Sequence, residues 1–241
     1  MARDSALQVR AARSGESVFS IYSWCRPTLS FGRNQPARDR YDLGKIRDAG
    51  MDIVRRPTGG RAILHHREVT YSVTAPSDTS SLRETYSRIN GILQMGLTRL
   101  GVPVETAGIS QRAPAPGMRP CFDTPTRGEL VSQGAKLVGS AQWRENGALL
   151  QHGSILVDDD QSSLPDFSAA LEATRGALPT PATLHALLGR APDVEEVASA
   201  MFDAVRSLED ATATQMFEDD VRAEALELVP DFLDEDWTWR R

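Results

Sequence analysis

The chain has 241 residues, 40% hydrophobic and 25% charged, with a formal net charge of −6. This is an ordinary soluble globular composition, for one domain or one domain with a small appendage. The acidic balance argues against nucleic acid as the main partner, no run approaches the ~18 apolar residues of a membrane span, and the opening MARDSALQVRAARSGE lacks the apolar core of a signal peptide. No membrane association and a cytoplasmic location are expected.

Residues 3–12 read as a short helix ended by Ser14-Gly15. Ser17 to Ser23 alternates and is rich in Val, Ile, Phe and Tyr, which predicts a strand; a second short one, Thr28 to Gly32, follows the break at Pro27. Tyr41 to Ala49 is helical in pattern and Gly50 terminates it. Strands are expected over 52–56, 61–65 and 69–75, the first running into Pro57-Thr58-Gly59-Gly60. Leu82, Tyr86, Ile89, Leu93, Leu97 and Leu100 recur at spacings of three and four, one apolar face of a helix laid on a sheet. Val102 to Thr106 returns as a strand, and 107–120 is a Pro/Gly-rich connector. Two apolar runs, 137–142 and 148–157, meet at Asn146-Gly147, a strong hairpin signal because both residues tolerate positive φ. Helices are expected at about 165–175, 181–188, 193–211 and 217–229, and Phe232, Trp237 and Trp239 in the acidic tail need somewhere to bury. The sum is α+β, with a mixed or antiparallel sheet over 1–160 and a helical part, 161–241, packed on the same domain. The elements do not make a βαβ repeat, which disfavours a Rossmann fold.

Three groups of residues carry chemistry. In Arg55-Arg56-Pro57-Thr58-Gly59-Gly60-Arg61, paired glycines let backbone N–H groups turn toward an anion or carbonyl, and the arginines add charge. A plain Gly-Gly turn with exposed arginines is the competing reading, and the pattern is not a Walker loop. Cys121 is either a small buried hydrophobe or a nucleophile. The second role needs a cation to favour the thiolate; Lys136 is the first candidate, with Arg61 and His152 as others. Cys25, beside Trp24, is taken as structural, and two cysteines are too few for a disulfide framework. The small residues Gly139, Ser140, Ala141, Gly153 and Ser154 suit the floor of a slot, since glycine in a strand marks close approach of a ligand or another backbone. His152 is a candidate for proton transfer or a satisfied half-buried histidine; His65 and His66 point to opposite faces of a strand, so at most one faces the slot. His185 is assigned no role, and no His, Cys or carboxylate set has metal-ligand spacing.

RRPTGGRAILHHREVTYSV (55–73) together with CFDTPTRGELVSQGAKLVGSAQWRENGALLQHGSILVDDD (121–160) resembles the family of lipoate– and biotin–protein ligases and octanoyltransferases, and within it the cysteine-dependent LipM type. The likeness extends to the first helix, to YSWCRPTLSFGRNQ (22–35) and to the ending DEDWTWRR. It implies a sheet-based domain of the biotin-ligase kind that holds a medium-chain acyl group in a tunnel. It also implies octanoyl transfer from octanoyl-acyl carrier protein, through a cysteine thioester, to a lysine of a lipoyl domain such as glycine-cleavage H protein. The thioester cysteine falls on Cys121, and the lysine that lowers its pKa and faces the acyl carbonyl falls on Lys136. Arg56, Thr58, Gly59, Gly60, Arg61 and His65 then join Gly139, Ser140, Ala141 and Gly153 as binding residues. No cofactor, metal or ATP is needed, because the incoming thioester is already activated; a monomer is the expected state. Such acceptors and donors are acidic, so a basic docking surface is expected, with Arg33, Arg38, Arg40, Arg55 and Arg67 as candidates. Three departures stand out. The sequence begins at the family's first helix, so the strand that precedes it in relatives, and its cover for a sheet edge, are not expected. His66 replaces an acidic or amide residue, and Arg61 replaces a glycine, which suits the LipM type better than ATP-using ligases. Competing readings are an ATP-dependent lipoate–protein ligase, an enzyme moving octanoyl between lipoyl domains, and a binding protein without turnover.

Overall fold

The computed structural model describes residues 1–108, 121–122, 125–168, 179–217 and 219–240. Helix α1 (Ala2–Ser14) leads to β1 (Val18–Tyr22), β2 (Thr28–Phe31), α2 (Leu43–Asp48), β3 (Asp52–Arg55), β4 (Ile63–His65), β5 (Glu68–Pro76) and α3 (Leu82–Arg99). Then come β6 (Glu105–Thr106), β7 (Leu130–Ser132), β8 (Ala135–Glu145) and β9 (Ala148–Leu156). A 3-10 helix (Gln161–Phe167) precedes α4 (Leu184–Leu188), α5 (Val194–Leu208), α6 (Asp219–Leu233) and α7 (Glu235–Thr238). Among the described residues, no helix is long and apolar enough to cross a membrane.

Two sheets organise the chain. Six antiparallel strands run in the order β1-β5-β9-β8-β7-β6, and three run β3-β2-β4. β2 pairs parallel with β3 and antiparallel with β4, so the fold is α+β as expected, but β2–α2–β3 is a βαβ unit that the sequence did not announce. The β8–β9 hairpin turns at Asn146 and Gly147, both at positive φ, 50° and 82°. A second hairpin, β7–β8, turns at Gln133 and Gly134, φ 51° and 78°, and was not foreseen: three buried residues are too few to alternate. Strand 102–106 shrinks to Glu105–Thr106, and the helix expected at 165–175 is replaced over its first residues by the 3-10 helix; 169–178 lie outside the described residues, as do 109–120 of the connector. α6 carries on through Pro230, past the expected end.

Register decides which side chains share a face. Ser154 lies across from Gly139 and Thr70, and His152 from Ala141 and Ser72, giving one face of small and hydroxyl-bearing residues. The opposite face carries Val69, Tyr71, Val138 and Ile155, which pack with Ile89, Leu93 and Leu97 of α3. α3 starts with a Ser81–Glu84 capping box. Ala182, Leu184, Val197 and Met201 join this same core, so the chain after 161 shares it with the sheet. Gly96 permits that contact: a Cβ there would run into the Met201 side chain. α1 lies against β5 and β9 on the hydroxyl face and is flanked by α6, with Arg10 paired to Glu224 at 3.2 Å. Trp239 packs on Phe31, ring centroids 5.6 Å apart, and thus docks the tail.

Candidate active site

Where the hydroxyl face of the large sheet meets β4 and the Arg56–Arg61 loop, a pocket opens with about 370 Å³ of empty space, mouth included. Its lining includes Arg56, Gly60, Ile63, His65, Cys121, Gly139, Ser140, Ala141, His152 and Gly153. Of the catalytic and binding residues expected from the sequence, Thr58, Gly59, Arg61 and Lys136 are not part of this lining, and the others form it. Glycine is required at two places. A Cβ on Gly139 would press on Phe122 at 3.0 Å, and one on Gly153 would strike the Gly139 carbonyl oxygen and Tyr71 Cε1, the latter at 2.7 Å.

Cys121 is half-buried, its N–H bonded to Ala62 O at 3.2 Å. Lys136, almost wholly buried, reaches it across the β7–β8 hairpin. Its Nζ donates to Cys121 Sγ at 3.7 Å, to Cys121 O at 2.9 Å and to Glu129 Oε1 at 2.7 Å. Three acceptors therefore match the three donors of the ammonium. The same nitrogen sits 5.0 Å from the centre of the Phe122 ring. Glu129 was not anticipated. It stands just before the short β7, and its Oε2 accepts from Thr126 N at 2.7 Å, which fixes the carboxylate. The Gln133-Gly134 turn was the signal that could have found it. Asp123, third residue of the CFD motif, lies outside the described residues.

The Arg56–Arg61 loop has its carbonyls gripped from behind. Arg56 donates to Gly59 O (3.1 Å), Arg61 O (2.8 Å), Ser30 O (3.1 Å) and Ser30 Oγ (2.7 Å). Arg33 N donates to Thr58 O at 2.7 Å. The N–H groups of Thr58, Gly59 and Gly60 have no acceptor among the described residues. Gly60 takes φ +99° and lies so close to Gly32 that a Cβ on Gly32 would collide with the Gly60 carbonyl. This is the backbone arrangement that receives a carbonyl oxygen or anion.

Both buried histidines are fully engaged. His65 Nδ1 lies 2.8 Å from Glu68 Oε1 and Nε2 2.7 Å from Ser30 Oγ, while Trp24 stacks on the ring at 4.3 Å. Burial raises the Glu68 carboxyl, but the His65 charge and hydrogen bond outweigh it and leave it below its ordinary value. His66 is exposed, so only His65 faces the pocket, as strand alternation requires. His152 Nδ1 lies 3.0 Å from Asp4 Oδ2 and Nε2 2.6 Å from Thr58 Oγ1. Burial lowers the His152 pKa, against the opposing pull of Asp4. Asp4 was missed in the sequence, although a carboxylate on the stripe Asp4-Leu7-Gln8-Ala11 that α1 buries was the available sign. Two further expectations are corrected. Arg55 is fully buried, donating to Gly32 O, Gln35 O, Thr238 O and Arg240 O, so it is no docking residue. Cys25 is exposed and packs nothing into the core.

A family model described as Lipoyl protein ligase A/B catalytic domain matches residues 1–206. The chain belongs to the lipoyl protein ligase A/B catalytic-domain family. Within this family it is similar to Octanoyltransferase LipM of Kyrpidia tusciae, 44% identical over 174 residues, 68% of this chain and 63% of that protein. It is also similar to Octanoyltransferase LipM of Lysinibacillus sphaericus, 39% identical over 202 residues, 77% of this chain and 73% of that one. The chain thus spans under two thirds of the Kyrpidia relative's length. The family fold extends to a lipoate-protein ligase A bound with ATP (TM-score 0.78, 20% identity, 99% and 92% of the two chains). It extends likewise to a bi-partite lipoate protein ligase from Thermoplasma acidophilum (TM-score 0.76, 20% identity, 99% and 89%).

Proposed function

We propose that the chain is an octanoyltransferase that carries the acyl group as a thioester on Cys121. The observation that carries this reading is the Lys136 ammonium held 3.7 Å from the Cys121 sulfur at the edge of the pocket, with Glu129 behind it. The LipM relatives support it as well. The donor is octanoyl-acyl carrier protein and the acceptor a lipoyl domain such as glycine-cleavage H protein. The setting is the reducing cytoplasm, where Cys121 stays a free thiol. Residues 161–241 belong to the same catalytic unit, in keeping with the core they share with the sheet.

In the first step the Cys121 thiolate attacks the donor's carbonyl carbon, a C–S bond forms, and the donor thiolate leaves and takes up a proton. In the second, a neutral acceptor lysine attacks the Cys121 thioester. A C–N bond forms, the C–S bond breaks, the nitrogen sheds its proton to solvent, and the thiolate returns beside Lys136. Covalent catalysis splits one transfer between two proteins into two steps that each need only one of them docked. Both steps pass through a tetrahedral oxyanion. The N–H group of Gly60, which lines the pocket, can receive it. Lys136 can do so once it gives up its bond to Cys121 O.

Octanoyl-acyl carrier protein mixed with an apo lipoyl domain and catalytic amounts of the chain, without ATP, tests the reading by the mass of the acceptor. The expected result is an octanoylated acceptor. Modification only with free lipoate and ATP would make the chain a ligase instead, and octanoyl accepted only from another lipoyl domain would change the donor.

A further inference from the structure

We propose that Asp4, His152 and Thr58 form a brace whose task is to hold the turn at residues 58–60 so that the Gly60 amide stands where the oxyanion forms. This proposal rests on the transferase reading above. Pro57, Gly59 and Gly60 offer no polar side chain, so Thr58 is the one residue of the turn that can be gripped by its side chain. It is gripped at 2.6 Å by His152, which bridges to Asp4 at 3.0 Å. Asp4 also accepts from Tyr22 OH at 2.9 Å. An ionised carboxylate only accepts, so the His152 Nδ1 carries the ring proton and Nε2 accepts from the Thr58 hydroxyl.

The brace has the connectivity of an Asp-His-hydroxyl triad, yet it does not do a triad's work. Thr58 is wholly buried and absent from the pocket lining, so its oxygen meets no substrate. With Nε2 already taken, His152 is no free base for the acceptor amine. What the three residues share is a line from α1, across β9, to a turn whose carbonyls are held by Arg33 and Arg56 and whose N–H groups have no acceptor among the described residues. Burying the Asp4 charge is costly unless it is paired, and its pairing ends on that turn. Asp4, His152 and Thr58 are positioning residues that act through Gly60.

The test compares two reactions of the same sulfur. Octanoyl transfer onto Cys121 passes through an oxyanion; alkylation of Cys121 by iodoacetamide is a direct displacement and does not. Thr58→Val keeps the shape and removes the hydroxyl, and Thr58→Ser restores it. The single-turnover octanoylation rate of Thr58→Val should fall about tenfold or more, the scale expected of a displaced donor. Alkylation, read on the Cys121 peptide because Cys25 is also exposed, should be unchanged, and Thr58→Ser should recover the transfer rate. Unchanged octanoylation, or octanoylation and alkylation falling together, would overturn the brace. If Thr58→Val does not fold, His152→Gln is read in the same way. A wild-type chain that takes up no octanoyl at all overturns the transferase reading first, and this proposal with it; a working wild type with an indifferent Thr58→Val overturns the brace alone.

Discussion

Lys136 has no spare donor: Glu129, Cys121 O and Cys121 Sγ take all three. Lys136→Met therefore does two kinds of damage. It removes the cation beside the sulfur and strands the Glu129 carboxylate, and breaking a buried pair in this way costs about 3–5 kcal/mol. The double variant Lys136→Met/Glu129→Gln should regain most of that stability in urea unfolding while octanoyl transfer stays lost. Recovery of activity in the double variant would remove Lys136 from the mechanism. His152 offers a second residue-scale test. Its pKa is lowered in the folded chain, chiefly by burial, so the unfolded chain binds a proton there that the folded chain does not. Stability should be level above about pH 6.5 and decline as the pH falls below it, by at most about 1.4 kcal/mol per unit. The depressed carboxyls of Asp4 and Glu68 add their loss only near and below about pH 4. Unfolding curves between about pH 7 and 5 should thus slope in the wild type and flatten in His152→Gln; equal slopes would contradict the assignment. At this scale Cys121, Lys136, His65 and His152 were readable because their residue types are chemical. Asp4 and Glu129 were not, because a carboxylate's partner lies far off in sequence or across a hairpin too short to recognise.

At the scale of elements, the pocket exists because strand register puts small residues opposite one another. Gly153 lies across from Ser140 and Tyr71, and nothing larger fits at that crossing. Gly153→Ala should destabilise the chain by about 1–3 kcal/mol, the usual range for overpacking, measured by urea unfolding. Gly59→Ala is the internal control, since a Cβ there meets nothing and φ is not in the left-handed region. Equal losses in both variants would show that the crossing is not the constraint. The β8–β9 hairpin was legible from Asn146-Gly147, and α3 from its apolar stripe. The β7 strand was not, because burial on both sides erases alternation over three residues. The βαβ unit was hidden for another reason: its strands and its helix were each read, but nothing in the sequence showed that β2 and β3 pair parallel across α2.

Across the whole molecule, the C-terminal tail is tied back to the end of β3, just before the Arg56–Arg61 loop. Arg55 and Trp237 exchange hydrogen bonds with each other's segments, and Arg33 stacks between Trp143 and Trp237, centroid distances 4.2 and 5.5 Å. Packing of the tail was foreseeable from its aromatic residues; that Arg55 would be its anchor was not, since an arginine in a basic run looks like surface. Intact mass tests most directly whether Cys121 carries the acyl group. Wild type and Cys121→Ala are each mixed with octanoyl-acyl carrier protein, without ATP. The wild type should gain one octanoyl adduct, released by hydroxylamine, and Cys121→Ala none, even though the exposed Cys25 remains. An adduct that survives in Cys121→Ala, or its absence from a wild type that still modifies a lipoyl domain, would contradict a Cys121 thioester.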